Sequence, residues 1–250
     1  MSHPLIRAIT AVGELSLMAG ETIQQPFCAR FRLNETFRQI GLIGVDSLPM
    51  ALIICMIAGS VLSLQAAIKM ADNGAQAYVG AGIALSIVRE IAPLFSALAV
   101  TARCATSTAS QLGHLAVSQQ LDALRICKVS LQRYLIAPRV WAFILSLPLL
   151  TILAEVVGIL GGMVISRVMA GVTTGQFLDS VWLNLKPSDL MASVVKALVF
   201  GLMIGTIACW SGLHCAGGAR EVGRASTQAA VIGSMSLIVM NFILTWLLFL

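Results

Sequence analysis

The chain has 250 residues, 58% of them hydrophobic and only 11% charged, with a mean hydropathy of +0.91. Soluble domains carry about 25% charged residues, so a chain this poor in charge cannot clothe a water-soluble sphere. The composition points to an all-α polytopic membrane protein. Aromatics are 6% while glycines number 21, which suits closely packed helices and excludes an aromatic-girdled β-barrel. The net charge of +5 comes with no basic run and no interleaving of basic and aromatic residues, so nucleic acid is excluded as a partner.

In chain order, Leu5, Ile6, Ile9, Val12 and Leu15 recur at helical spacing, interrupted by Glu14 and Glu21. This predicts an amphipathic helix lying in the membrane interface, broken at Pro26 before a second short helix around Asn34 to Ile40. Glu14 splits any signal-peptide core, so the segment is expected to be retained. Residues 1–40 are thus expected to be interfacial and 41–250 to form the membrane domain. Five stretches can cross a hydrocarbon layer of about 30 Å: Leu48 to Ile68, Tyr78 to Ala102, Val140 to Ile165, Leu190 to Leu213 and Thr227 to Leu250. Pro49 suits a helix start, whereas Pro93 and Pro148 should kink their spans.

With the N-terminus inside, eleven of the sixteen basic residues fall on the cytoplasmic side and three outside, leaving Arg89 and Lys196 within spans. That asymmetry predicts a cytoplasmic N-terminus and a periplasmic C-terminus.

The chain has no G-x-x-x-x-G-K-[ST] loop, no G-x-S-x-G elbow, no H-E-x-x-H motif and no paired-carboxylate spacing. No catalytic residue and no cofactor in this chain are expected. Its six cysteines, without a CxxC pair, read as small core residues, and His3, His114 and His214 are too scattered for a metal site. Arg89 and Glu90, in mid-span, must each face a protein interior, a cavity or a polar headgroup. As sequence neighbours about 100° apart they call for separate partners, a lipid headgroup being one candidate and an interhelix ion-pair network the other. Interhelix pairing accounts equally for Glu155, Lys196 and Asp46. Gly158 with Gly162 and Gly201 with Gly205 have the GxxxG spacing of close helix packing. In the long connection from Arg103 to Arg139, a short helix around 117–130 places Leu121, Leu124 and Arg125 on neighbouring turns beside Asp122, a pattern suited either to a groove in a soluble partner or to the interface.

These residues belong to a longer series. Val88-Arg-Glu-Ile-Ala-Pro93, Ala102-Arg103, Gln111-Leu-Gly113, Ser118-Gln-Gln-Leu-Asp-Ala-Leu124 and Tyr134-Leu-Ile-Ala-Pro-Arg139 resemble the MlaE/YrbE family of ABC permeases associated with MCE proteins. The likeness continues through Leu147-Pro-Leu-Leu-Thr151, Gly158-Ile-Leu-Gly-Gly162 and Gly217-Gly-Ala-Arg-Glu-Val-Gly-Arg-Ala-Ser-Thr227, and closes with Asn241-Phe-Ile-Leu-Thr245. It spans roughly residues 38 to 250 in order.

The resemblance implies interfacial N-terminal helices followed by five transmembrane helices in an MlaE-like permease fold, in the bacterial inner membrane. It implies a second permease copy, expected as a homodimer with a heterodimer left open. It also implies a cytoplasmic ABC ATPase holding ATP and Mg, a periplasmic MCE-domain protein and in some systems a STAS-domain protein. The substrate implied is phospholipid or a related lipid moving between inner and outer membranes. The lipid cavity falls on Arg89 and Glu90, with Leu85 and Val88 beside them, and the ATPase coupling helix on Gln119, Leu121, Asp122, Leu124 and Arg125. Gln111, Gln119 and Asn241 stand where the family usually has acidic residues, and Ala102 where it has Gly, which removes three carboxylates from the expected contacts. Two other readings are open: a non-transporting scaffold between periplasmic and cytoplasmic partners, and an ion-coupled transporter with a relay of Arg89, Glu90, Glu155 and Lys196.

Overall fold

A computed structural model describes residues 4–25, 32–71, 79–215 and 217–249, and among these it is helical with no strand. The expected break at Pro26, the start of a span at Tyr78, the end at Leu250, and Cys28 and His3 lie outside the described residues, as do the side chains of Leu5, Ile6 and Ile9.

Helix α1 is Pro4–Gln24. Helix α2 begins as Leu33–Ile40, passes through a π turn at Gly41–Val45 and continues as Asp46–Ala71. The short helix expected at 34–40 is therefore continuous with the first span. Helix α3 runs through Val79–Ser86, a π turn at Ile87–Ile91, Ala92–Val100, a second π turn at Thr101–Ala105, and Thr106–Val117. After Ser118 and a left-handed Gln119 (φ 59°) comes the short α4, Gln120–Ile126. Helix α5 opens with a π turn at Gln132–Ile136 and runs through Ala137–Ala170 to Gly171, whose φ of 65° ends it as glycine readily can. Helix α6, Thr174–Asn184, starts from a capping box in which the Gln176 N–H donates to Thr173 Oγ1 and the Thr173 N–H to Gln176 Oε1. Helices α7, Pro187–Leu213, and α8, Ala219–Phe249, complete the chain.

Five helical stretches are long and apolar enough to cross a membrane: Leu33–Ala66, Gly80–Val117, Gln132–Met169, Pro187–Leu213 and Ala219–Phe249. The protein is an all-α polytopic membrane protein. The second and third stretches have 38 residues each, roughly 57 Å at 1.5 Å per residue, well beyond the hydrocarbon thickness. They overrun the spans drawn from hydropathy because backbone hydrogen bonding carries on through Arg103, Thr106 and Ser107 after the apolar run stops. Three π turns sit just ahead of prolines at 49, 93 and 138. Proline lacks an N–H and crowds the carbonyl four residues earlier, and a wider turn relieves that crowding.

Both GxxxG pairs are packing devices. A Cβ on Gly201 would lie 2.7 Å from the Phe143 carbonyl oxygen and 2.8 Å from Ile144 Cα, so α7 and α5 meet backbone to backbone. On Gly158 it would meet Ile87 Cγ2 at 3.2 Å and the Cys55 carbonyl oxygen at 3.3 Å, where α5, α3 and α2 converge. Nearby, Ser63 Oγ donates to the Gly162 carbonyl at 2.7 Å and lies 2.7 Å from Ser166 Oγ, satisfying buried polar groups across α2 and α5. Phe143, Leu147, Phe200, Ile204 and Leu237 form the centre of one core cluster, Ile83, Ile87, Cys55 and Phe177 that of another. Cys55, Cys104 and Cys209 are buried as expected, but Cys127 is exposed just beyond α4, where no helix packs over it.

Candidate functional site

The π turn at Ile87–Ile91 presents Arg89 and Glu90 in two directions, while Ile87 and Val88 are buried behind them. Pro93 has no N–H for the carbonyl of Arg89, four residues back. Lys196 of α7 supplies a donor there, its Nζ lying 2.7 Å from that oxygen. The same ammonium donates to Glu90 Oε1 at 2.8 Å and to Thr245 Oγ1 at 2.8 Å. Asn241 Nδ2 donates to Glu90 Oε2 at 2.9 Å, and Thr245 Oγ1 lies 2.9 Å from Glu90 Oε1. Lys196 has no exposed surface and Glu90 keeps 37% of its side chain open. Three helices, α3, α7 and α8, are thereby joined through one buried cation.

Arg89 turns the other way. Its Nε and second terminal nitrogen contact Asp189 Oδ1 at 3.0 and 2.8 Å, and its guanidinium stands over the Phe249 ring at 4.7 Å. Asp189 is buried, and its other oxygen accepts the Lys186 N–H at 3.1 Å, capping the start of α7. Arg89 and Glu90 do have separate partners, both on α7, and each charge is matched.

Beside Arg89 opens a cavity of about 600 Å³ between α3, the first turns of α7 and the end of α8. Its polar wall is Arg89, Lys186, Ser188 and Asp189, and its apolar wall Met191, Val195, Leu248 and Phe249. Leu85 is half-buried and Val88 buried, and neither lines this cavity. The π turn inserts a residue between Leu85 and Arg89, so the four-residue spacing no longer puts them on one face. The described residues contain no group of three His, Cys, Asp or Glu able to hold a metal.

Other in-membrane charges sit apart. Glu155 is buried and accepts from Ser193 Oγ, one turn of α7 before Lys196, so it is not in direct contact with the Arg89–Glu90 network. Asp46 faces Arg103 at 3.8 Å with both side chains about half exposed.

At the opposite end of the bundle, α4 lies across the gap between α3 and α5. Leu121 is buried with Leu112, Leu135 and Ile136, and Leu124 packs against the same cluster. The outward side carries Asp122 and Arg125, paired at 3.1 Å, and Ile126, which is 82% exposed. Gln119 supplies the left-handed turn ahead of α4, and Gln111 Nε2 donates to Ser107 Oγ one turn back.

Sequence reasoning named Arg89, Glu90 and Lys196 but not Asp189, Thr245, Phe249 or Ile126 as site residues. Asp189 carries a signal in Pro187-Ser-Asp, a helix-start pattern immediately ahead of the fourth apolar stretch at Leu190. Thr245 and Phe249 lay inside an apolar run with no charge to mark them.

Comparison with known proteins adds an independent observation. The family model described as Permease MlaE matches residues 36–247. The chain is 35% identical over 232 residues to a protein of Synechocystis called "Probable ABC transporter permease protein", covering 93% of this chain and 88% of that one. It is 31% identical over 213 residues to the "Intermembrane phospholipid transport system permease protein MlaE" of Haemophilus influenzae, covering 85% and 82%. It is 29% identical over 229 residues to the chloroplastic protein TRIGALACTOSYLDIACYLGLYCEROL 1 of Arabidopsis thaliana, covering 92% and 65%.

Proposed function

The chain belongs to the MlaE permease family, and from that membership we propose that it is the membrane subunit of an ABC transporter that moves phospholipid or a related lipid between two membranes. The observation that carries this reading is the cavity beside Arg89, which has a charged wall for a headgroup and an apolar wall for the start of acyl chains. With the N-terminus inside the cell, this cavity opens toward the periplasmic half of an inner membrane, the side from which an MCE-domain protein receives or delivers lipid. A second copy of the chain closes the cavity, Arg89 meets the headgroup region, and Glu90, bound to Lys196 behind it, holds that turn of α3 in place.

Energy comes from a partner, because the sequence has no phosphate-binding loop. A cytoplasmic ABC ATPase, holding ATP and Mg, docks on the outward side of α4 through Asp122, Arg125 and Ile126, with Leu121 and Leu124 anchoring α4 to the bundle. In some such assemblies a STAS-domain protein joins on the ATPase. Nucleotide binding then favours one of two packings of the helices, and the bias enters at α4.

Reconstituted complexes carrying Arg89→Ala or Glu90→Ala should lose most phospholipid transfer between donor and acceptor vesicles, compared at equal amounts of assembled complex because each change leaves a buried partner, Asp189 or Lys196, unmatched. Undiminished transfer at equal protein level would remove the pocket from the mechanism. A scaffold without transport would hold no phospholipid at the interface between the two copies, so native mass spectrometry of the extracted protein should show no lipid that stays with the dimer once loosely held lipid is stripped.

A further inference from the structure

Three charged side chains line the cavity beside Arg89: Arg89 and Lys186 are cations and Asp189 is a carboxylate. Arg89 takes Asp189 in direct contact, two of its nitrogens on one oxygen, and is held from the other side by the Phe249 ring. Deeper in, Lys196 and Glu90 are likewise matched one to one. One positive charge is therefore left over, on Lys186. Its ammonium is exposed and has no anionic partner among the described residues.

Lys186 occupies the residue before the first turn of α7, so its position is set by a long helix and by the bond from its N–H to Asp189. Ser188 beside it adds a hydroxyl donor to the same wall. Further along the same helix stand Met191 and Val195, with Leu248 of α8 completing a surface of hydrocarbon. A ligand matching this wall has one negative charge with several acceptor oxygens at one end and an alkyl body at the other. A phosphate ester answers the first requirement, since a lysine ammonium binds phosphate as a point charge. A phospholipid answers both.

We propose that Lys186, with Ser188, is the phosphate-recognition site of this permease, and that the Arg89–Asp189 pair forms the fixed wall against which the headgroup rests. The proposal rests on the lipid-transport reading and deepens it by dividing the labour: the matched pairs shape the cavity, and the unmatched lysine reads the ligand's charge.

The test uses the purified full-length chain with the subunits that accompany it, in detergent, offered phosphatidylglycerol, diacylglycerol of the same acyl chains, and soluble glycerol phosphate in parallel. The wild-type protein should retain phosphatidylglycerol in preference to diacylglycerol. Lys186→Glu should lower that preference about tenfold or more, the value of one charge-assisted contact, with Lys186→Gln between the two and Lys186→Arg near wild type. Melting curves matching wild type identify the folded variants, and the exposed position lets Lys186→Gln stand in should Lys186→Glu misfold. Phosphatidylglycerol held by Lys186→Glu or Lys186→Gln as by wild type would overturn the assignment. So would equal retention of diacylglycerol by the wild type, an outcome that leaves lipid transport itself standing. Displacement of the lipid by glycerol phosphate at similar concentration would show a site for free phosphate instead. A wild-type protein that holds neither lipid would overturn this proposal and the transport reading together.

Discussion

A lysine ammonium has three N–H donors, and Lys196 directs one each to Glu90, to Thr245 and to the carbonyl of Arg89. Burying such a cation is tolerable only with this degree of satisfaction, and removing it leaves Glu90 facing the bundle without its counter-charge. Breaking a fully buried pair costs about 3–5 kcal/mol, and because Glu90 is partly open the lower end applies. Lys196→Met should therefore lower thermal stability in detergent by about 3 kcal/mol. Adding Glu90→Gln to Lys196→Met should restore much of the loss, since an amide needs no cation; melting midpoints of the two variants decide this. Asn241 fits the same account. A neutral amide donates to Glu90, where the acidic residue usual in the resembling family would bring a second negative charge to one lysine.

Between elements, backbone proximity sets the geometry. Gly201 lets α7 approach α5 until a methyl group has no room, whereas a Cβ on Gly82 of α3 would meet nothing within 4 Å. Gly201→Val should push α7 away from Phe143 and cost upward of about 1–3 kcal/mol, the range for overpacking, while Gly82→Ala should be neutral or slightly stabilising. Thermal melts of both variants, compared with the parent, check the contrast. Because α7 carries Asp189, Ser193 and Lys196, the Gly201 variant should also loosen the site about one to three turns away. The spans themselves were legible in the sequence, since twenty apolar residues suffice to announce a membrane helix. Their ends were not. Hydropathy stops at Arg103, but the helix continues to Val117, and a π turn has no periodicity of its own from which Ile87–Ile91 could be read. Arg89, Glu90 and Lys196 announced themselves as charges among apolar neighbours, while Thr245 and Phe249 join them only because α8 folds back past α3, a long-range contact that no local spacing encodes.

Across the whole molecule the two ends of the bundle are specialised. One end holds the matched ion pairs and the cavity, the other holds α4 with Ile126 turned outward. Ile126→Asp should abolish recovery of an ATPase with the purified protein while leaving the bundle folded, because Ile126 is largely exposed and has little packing to lose; recovery of ATPase at the parental level would move the docking surface elsewhere. Helix α3 spans the distance between these ends without interruption. From Arg89 to Val117 it extends 28 residues, roughly 42 Å at 1.5 Å per residue. A rod of that length is a lever arm: a tilt of ten degrees about one end sweeps the other through about 7 Å. The bond from Lys196 to Glu90 is 2.8 Å long and fails well before such a sweep is complete. A rigid tilt of α3 that began near α4 would therefore reach the cavity as a displacement of several ångströms, provided that the π turns at Ile87–Ile91 and Thr101–Ala105 hold their geometry.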